Sequence, residues 1–133
     1  GPVESPPYLE VSSGGSGVQA ARSTFGWTVL IDDRTTKGIN ADGMGPAAMG
    51  EQLPWLEGAG TAELFWDGPA PDSVSVEGVP VSQLADDTAG QPVECDGDSF
   101  PLQEGEWVYT VYATWDSSED WGGYAWYYMG ITG

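Results

Sequence analysis

Alternation of apolar and polar positions is densest near the carboxyl end, between Trp107 and Ile131. From Trp107 to Trp115 the odd-numbered positions fall on one face of an extended strand and the even-numbered positions on the other, with the β-branched and aromatic residues that strands favour. The polar stretch Asp116 to Gly123 ends in Gly-Gly and is typical of a loop between antiparallel strands. Both faces of each strand carry large side chains, so the hairpin is predicted to lie inside a sheet.

Upstream of this hairpin the chain is cut into short apolar runs by glycine, proline and polar turns. In the clearest run, 23–31, the odd-numbered positions from Phe25 to Ile31 share one face, and Gly26 opposite them indicates a bulge or a close backbone approach. In 61–66, Ala62, Leu64 and Trp66 are predicted to point inward. The predicted upstream strands are 8–11, 18–22, 23–31, 61–66, 73–77 and 79–84, with a turn at Gly78 between the last two.

The segments between these strands are predicted to be connections. Residues 32–50 form a long crossing between sheets, with one helical turn at 46–50 and with Met44 and Met49 filling gaps at the edge of the core. Residues 52–56 are expected to cap an open end of the core, and the acidic stretch 85–99 to project as a loop.

Short strands at spacings of about ten residues, without a βαβ alternation, indicate an all-β fold. We therefore predict an antiparallel, immunoglobulin-like β-sandwich of seven to nine short strands that forms a single domain over 8–133. Residues 1–7 contain three prolines and are expected to be a tag remnant and a disordered or extended lead-in.

Charge excludes several kinds of partner. The 133 residues include 21 acidic and three basic residues, for a formal net charge of −18. Such a surface repels phosphate backbones and anionic lipid headgroups, so neither nucleic acid nor an anionic membrane is an expected partner. The field attracts cationic partners and divalent ions, although solubility alone also accounts for a strongly acidic surface.

Residues of common active sites are scarce. Histidine is absent, which removes the commonest general base and any His-dependent nucleophile. Cys95 is the single cysteine, so no internal disulfide and no zinc-type spacing is present. No apolar run reaches membrane-spanning length. Gly1-Pro2 at the start is typical of a cleaved tag, and we expect the chain to be the trimmed soluble part of a longer precursor.

Several segments, in order, resemble a known family. They are FGW at Phe25–Trp27, Ala41-Asp42 followed by Pro46, TAELFWDGPAPDSVSV at Thr61–Val76, and the closing YTVYATW…GGYAWYYMGI hairpin. This succession is similar to a small extracytoplasmic β-sandwich domain of Firmicutes surface proteins. That domain occurs as a lipoprotein and as the extracellular tail of penicillin-sensor-like membrane peptidase receptors. The resemblance covers most of 18–131, and its hairpin is the distinctive part.

The resemblance implies an extracellular, Gram-positive setting. It also implies a lipid-anchoring cysteine upstream of these residues, in the precursor. It carries over no catalytic residue. A lone lipoprotein and a receptor ectodomain are both compatible with it.

Carboxylates in the hairpin loop are candidate metal ligands. Asp116, Glu119 and Asp120, interleaved with serines, could supply oxygen ligands for Ca²⁺, which takes six to eight of them. The loop lacks the regular spacing of a recognisable calcium loop, so a solvated loop is the alternative. Asp96-Gly97-Asp98 and Asp32-Asp33 are weaker candidates of the same kind.

Aromatic residues of the last strand are the candidate ligand-binding set: Trp121, Tyr124, Trp126 and Tyr128. Alternate residues point to opposite sides of a sheet, so one face, Tyr124, Trp126 and Tyr128, could be exposed and stack on sugar rings or on a partner protein. The alternative is that both faces are covered.

Glycoside hydrolysis and a reactive thiol are the remaining candidate chemistries. Glycoside hydrolysis needs two carboxyl groups across a cleft, and among 21 acids some pair lies at that distance by chance. Cys95 lies among Glu94, Asp96 and Asp98, whose charges would raise the pKa of its thiol and disfavour a nucleophilic role.

These observations favour a non-enzymatic interaction or sensory domain at a Gram-positive cell surface, with a protein or glycan as partner and no cofactor. The alternatives are a carbohydrate-binding module using exposed Trp and Tyr, and a calcium-dependent adhesion module.

Overall fold

The computed structural model describes residues 2–133, and Gly1 lies outside the described residues. The strands are β1 (Tyr8–Ser13), β2 (Ser16–Gln19), β3 (Ala21–Asp32), β4 (Thr35–Ala41), β5 (Trp55–Glu57), β6 (Thr61–Asp67), β7 (Ser73–Pro80), β8 (Gln91–Val93), β9 (Ser99–Pro101), β10 (Glu106–Trp115) and β11 (Trp121–Thr132). The helical segments are α1 (Pro46–Met49) and the 3₁₀ turns Gly50–Gln52 and Val81–Gln83.

Two sheets pack face to face. The smaller sheet has four strands in the order β2-β1-β6-β9, and the larger has seven, in the order β4-β3-β11-β10-β7-β8 with β5 pairing to β11. The β-sandwich predicted from the sequence is confirmed, with eleven strands in place of seven to nine. The additional strands are short or lie at sheet edges, where few apolar residues mark them in the sequence.

The β10–β11 hairpin lies in the middle of the larger sheet. β10 pairs with β11 from Glu106↔Thr132 to Trp115↔Gly123, and the pair is flanked by β3 and β7. The predicted interior position is therefore confirmed. The predicted loop is too long, because Gly122 and Gly123 belong to β11 and the connection comprises only residues 116–120.

The Gly122-Gly123 pair serves close backbone contact within the sheet. A Cβ atom on Gly123 would lie 1.9 Å from the carbonyl oxygen of Gly26, and one on Gly122 would lie 2.4 Å from that of Trp115. Gly123 also has φ +153°, a conformation that L side chains rarely adopt. The chain needs glycine here to bring β11 against its neighbours.

Aromatic rings from both sheets form the centre of the core. Trp66 of β6 makes edge-to-face contacts with Trp115 and Tyr127 of the larger sheet, at centroid distances of 5.6 and 5.3 Å. Trp27 meets Trp115 edge to face at 5.4 Å, and Trp121 stacks on Trp27 at 5.8 Å. Such pairs add to the stability that burial of the ring area gives, and those of Trp66 connect the two sheets.

Strand β3 follows its predicted alternation only in part. Trp27 and Val29 are buried as expected, but Ile31 is 61% exposed near the end of the strand, where the pairing with β4 shifts register between Leu30 and Asp32. The close approach predicted at Gly26 is confirmed, since a Cβ atom there would lie 2.7 Å from the ring of Tyr124.

Residues 32–50 are not a simple crossing between sheets. Their first part forms β4, which pairs with β3 from Phe25↔Ala41 to Asp32↔Thr35 as an edge hairpin. The predicted helical turn is confirmed as α1. Met49 is buried as expected, whereas Met44 is 42% exposed. β4 escaped prediction because its polar residues face solvent at the edge of the sheet.

The turn predicted at Gly78 is wrong. β7 runs without interruption from Ser73 to Pro80, and only Val81–Gln83 leaves the strand as a 3₁₀ turn. A Cβ atom on Gly78 would lie 3.0 Å from the ring of Tyr109, so this glycine makes room for an aromatic ring of the neighbouring strand. The acidic stretch 85–99, predicted as a loop, contains the strand β8 and the first residue of β9. Only 85–90 and 94–98 lie outside strands.

The lead-in segment, residues 2–7, packs against the core. Of the two forms expected from the sequence, disordered or extended, the structure has an ordered one. Pro6 and Pro7 are buried. The indole N–H of Trp27 donates to the carbonyl of Val3 at 2.8 Å, and the hydroxyl of Tyr127 donates to that of Pro7 at 2.6 Å. Buried N–H and O–H groups need hydrogen-bond acceptors, and the carbonyl groups of the lead-in segment, which belongs to no strand, provide them.

Of the predicted cap, residues 52–56, Leu56 is buried in the main core, Leu53 packs in a separate cluster with Met49 and Val108, and Trp55 is 39% exposed. The strand β5 formed there pairs parallel with β11 from Gly130↔Trp55 to Thr132↔Glu57. Helix is limited to short segments, and none in residues 2–133 is long and apolar enough to cross a membrane.

Candidate binding surface

The outward side of the larger sheet carries an aromatic patch, defined as Tyr112, Tyr124 and Trp126. Tyr112 and Trp126 are directly paired across β10 and β11, with ring centroids 4.4 Å apart, and the Tyr112 and Tyr124 rings are 6.2 Å apart. Tyr124 is 38% exposed, and the other two rings are half-buried. Because all three project from central strands, their positions are fixed by the sheet on which they stand.

Next to the patch, a second and smaller apolar cluster, the second core, covers the rest of this outward face. Met49 and Leu53 pack on Val108 of β10, and Tyr128 packs against the same cluster. Burial raises the pKa of the Tyr128 hydroxyl. Tyr128, predicted from the sequence as part of the binding set, therefore lies between the covered half and the open half.

Trp121 lies on the opposite side of the sheet from the patch. Its ring stacks on Trp27 and packs against the main core. The sequence-predicted set of Trp121, Tyr124, Trp126 and Tyr128 is thus divided, and only Tyr124 and Trp126 join the open patch.

Tyr112 was not among the predicted site residues. The signal that could have found it is the register of the hairpin, because pairing of Trp115 with Gly123, with residues 116–122 between them, places Tyr112 opposite Trp126. The assumed longer loop, ending at Gly123, concealed this pairing.

Neutral polar groups surround the patch. Ser75 lies directly across from Tyr112, and Ser73 and Thr114 are joined by a hydrogen bond between their hydroxyls. The side-chain oxygen of Asn40 and the ring of Tyr124 both lie over Gly26. The patch therefore offers flat apolar rings beside groups that can donate or accept hydrogen bonds.

The hairpin loop is held by a carboxylate that the sequence analysis did not select. Asp72 accepts hydrogen bonds from the backbone N–H groups of Asp116 at 2.6 Å and Ser117 at 2.9 Å. These bonds, that to Asp116 first, hold the pKa of Asp72 below its ordinary value of 3.8.

The predicted calcium ligands do not converge. Within residues 2–133 no group of three or more His, Cys, Asp or Glu side chains is arranged to hold a metal ion, and this includes Asp116, Glu119 and Asp120. The same holds for Asp96 with Asp98 and for Asp32 with Asp33. Asp32 instead accepts a hydrogen bond from the backbone N–H of Arg34 at 2.9 Å, as is common in a tight turn.

Acid is expected to loosen the hairpin loop, because the backbone of the loop is hydrogen-bonded to the carboxylate of Asp72. A carboxylate whose pKa is lowered by folding stabilises the folded loop above pH 3.8, and this contribution is lost as the pH falls below that value and through the folded pKa. We expect Asp72→Asn to reproduce the acid effect at neutral pH, with faster amide hydrogen exchange at Asp116 and Ser117 measured by NMR. Glu119→Gln, which removes a charge from the same loop, is the control and should leave both amides protected.

The remaining chemical candidates gain no support. Asp32, Asp72 and Asp86 have pKa values lowered by hydrogen bonds, opposite to the shift that a general acid of a glycosidase requires. The pKa of the Cys95 thiol is raised, as predicted, but burial is the larger cause and the charge of Asp98 the smaller.

Comparison with known protein families, with curated proteins and with solved structures found no match for this chain.

Proposed function

We propose that the protein is a non-enzymatic interaction domain of a Gram-positive cell surface that binds a neutral glycan on its aromatic patch. The observation that carries this proposal is the group of three outward rings, Tyr112, Tyr124 and Trp126, on the half of the larger sheet that the second core leaves uncovered. The extracellular setting and a lipid anchor in the precursor rest on the sequence resemblance to Firmicutes surface domains.

Sugar rings suit the patch because they combine an apolar face of C–H groups with hydroxyls around the edge. Flat aromatic rings give large contact area at small loss of side-chain entropy, and they are already positioned by the sheet. The hydroxyls of Ser75 and Thr114 and the amide of Asn40 lie at the edges of the patch, where hydroxyls of a stacked sugar need partners.

Charge favours a neutral glycan over an anionic one. The protein has a formal net charge of −18, which repels sulfated or uronic-acid polymers. Glu77, the only carboxylate of β7, lies opposite Thr110, two residues from Tyr112 along β10. A neutral chain avoids this repulsion and still gains the stacking contact.

The calcium-dependent adhesion alternative is not adopted, because no group of three ligating side chains converges among the residues described. A protein partner at the same patch is the outcome to consider if no glycan binds. Absence of histidine supports a non-enzymatic role, since it removes the commonest acid–base group.

Trp126→Ala is expected to reduce glycan affinity about 30-fold, equivalent to about 2 kcal/mol, because it removes the largest ring of the patch. A neutral-glycan array would identify ligands for the unmodified protein, and titration calorimetry would compare the variants. Phe65→Ala removes an exposed ring from the opposite sheet and is the control, expected to bind the glycan normally.

Failure of every neutral glycan to bind would contradict the proposal. So would unchanged affinity in Trp126→Ala, once circular dichroism has shown that the variant keeps its β-sheet signal.

A further inference from the structure

We infer that the outward face of the four-stranded sheet is a second binding surface, which takes a basic, lysine- or arginine-bearing segment of a partner protein. This acidic-aromatic face is defined as Tyr8, Glu10, Glu63, Phe65 and Asp67, which project outward from β1 and β6. It lies on the opposite side of the sandwich from the aromatic patch and is independent of the glycan proposal.

Phe65 is the centre of this face. Its ring is 52% exposed, although the residues before and after it in β6, Leu64 and Trp66, point into the core. Tyr8, 45% exposed, lies on the neighbouring strand. Neither ring belongs to the core clusters, and the two lie on paired strands of the same face.

Carboxylates flank Phe65 on two sides. Glu10 is paired directly across from Phe65, and Asp67 is paired across from Tyr8. One hollow beside the ring is lined by Tyr8, Glu10 and Asp67. A second hollow, on the other side of the ring, is lined by Glu63, Asp96, Asp98 and Ser99.

One cation of the chain itself lies at the margin of this face, beside Tyr8. The guanidinium carbon of Arg22 lies 4.3 Å from the centroid of the Tyr8 ring and 4.9 Å from that of Phe25. Arg22 also donates a hydrogen bond to the carbonyl of Pro6, which fixes it beside Tyr8. A ring between carboxylates attracts a cation through both its π face and the neighbouring charges.

The arrangement fits separate cations along an extended segment better than a single ion. The carboxylates follow two paired strands, and among residues 2–133 no group of three or more ligating side chains converges on one point. A peptide in an extended conformation presents every second side chain to the same side, with about 7 Å between them. That spacing matches outward positions of a strand, so lysines at alternate positions could each meet a carboxylate.

The probe is a fluorescein-labelled peptide of five Lys-Gly repeats, titrated with the protein by fluorescence anisotropy at 20 and 150 mM salt. The double variant Glu10→Gln/Asp67→Asn is expected to weaken binding about fivefold or more at the lower salt. Phe65→Ala, which keeps all charges, is expected to weaken it about threefold through loss of the cation–π contact. The matched control Glu119→Gln/Asp120→Asn has the same net charge as the double variant and should change affinity less than twofold.

Equal weakening by the two double variants would mean that only the overall charge attracts the peptide, and would overturn the inference. Unchanged binding in Phe65→Ala or in Glu10→Gln/Asp67→Asn would overturn it as well. Trp126→Ala should bind the peptide like the unmodified protein. Loss of peptide binding on the acidic-aromatic face can therefore be told apart from loss of glycan binding on the aromatic patch.

Discussion

Gly123→Ala is expected to lower the free energy of unfolding by about 3 kcal/mol or more, which corresponds to a fall in Tm of roughly 10 °C for a domain of this size. The added Cβ would lie 1.9 Å from the carbonyl oxygen of Gly26 and 2.9 Å from its carbonyl carbon, so backbone atoms of β3 and β11 must move apart. The φ of +153° adds strain that is independent of this clash. Thermal unfolding followed by circular dichroism measures the effect.

Gly38→Ala is the matched control. Gly38 also lies in the larger sheet, in edge strand β4, but a Cβ there meets nothing within 4 Å. Its Tm should stay within about 2 °C of the original, or rise slightly, because alanine restricts the unfolded chain more than glycine does. A similar small change in Gly123→Ala would show that Gly123 lies in a loop with free space, as the sequence alone suggested.

Trp115→Ala is expected to destabilise the fold by about 4 kcal/mol, within the range for a buried Trp cut back to Ala. Trp115 is 2% exposed, and its ring contacts both Trp27 of the same sheet and Trp66 of the opposite one. Its indole N–H donates to the carbonyl of Pro69 at 2.9 Å, so the variant loses a hydrogen bond as well as the packing between sheets. Urea unfolding followed by the fluorescence of the remaining tryptophans and by circular dichroism measures the loss.

Ile31→Ala serves as the comparison for Trp115→Ala. The alternation of β3 predicts that Ile31 faces the core, but it is 61% exposed, so its truncation should cost less than about 0.5 kcal/mol. A cost above 2 kcal/mol for Ile31, or below 2 kcal/mol for Trp115, would contradict the packing described.

The candidate binding residues were predicted to the extent that strand alternation determines them. Strand alternation predicted that Tyr124, Trp126 and Tyr128 share one exposed face. In the structure Tyr124 is 38% exposed and Trp126 is half-buried, on the side of β11 opposite the buried Ala125 and Tyr127. Exposure of Phe65 follows from the same alternation in β6, but only its register against Glu10 reveals its carboxylate neighbour. Asp72 gave no sequence signal, because its partners Asp116 and Ser117 are more than 40 residues away.

The sequence by itself determined that this protein is an all-β sandwich with a carboxyl-terminal hairpin inside a sheet, because side-chain alternation and turn residues are local properties of the chain. Only the tertiary structure decided which outward aromatic residues stay open. Tyr128 packs against Met49 and Leu53, which come from a distant segment, while Tyr112 and Trp126 meet through strand register. Coverage and register depend on contacts between segments far apart in the chain, and a pattern of period two carries no information about them.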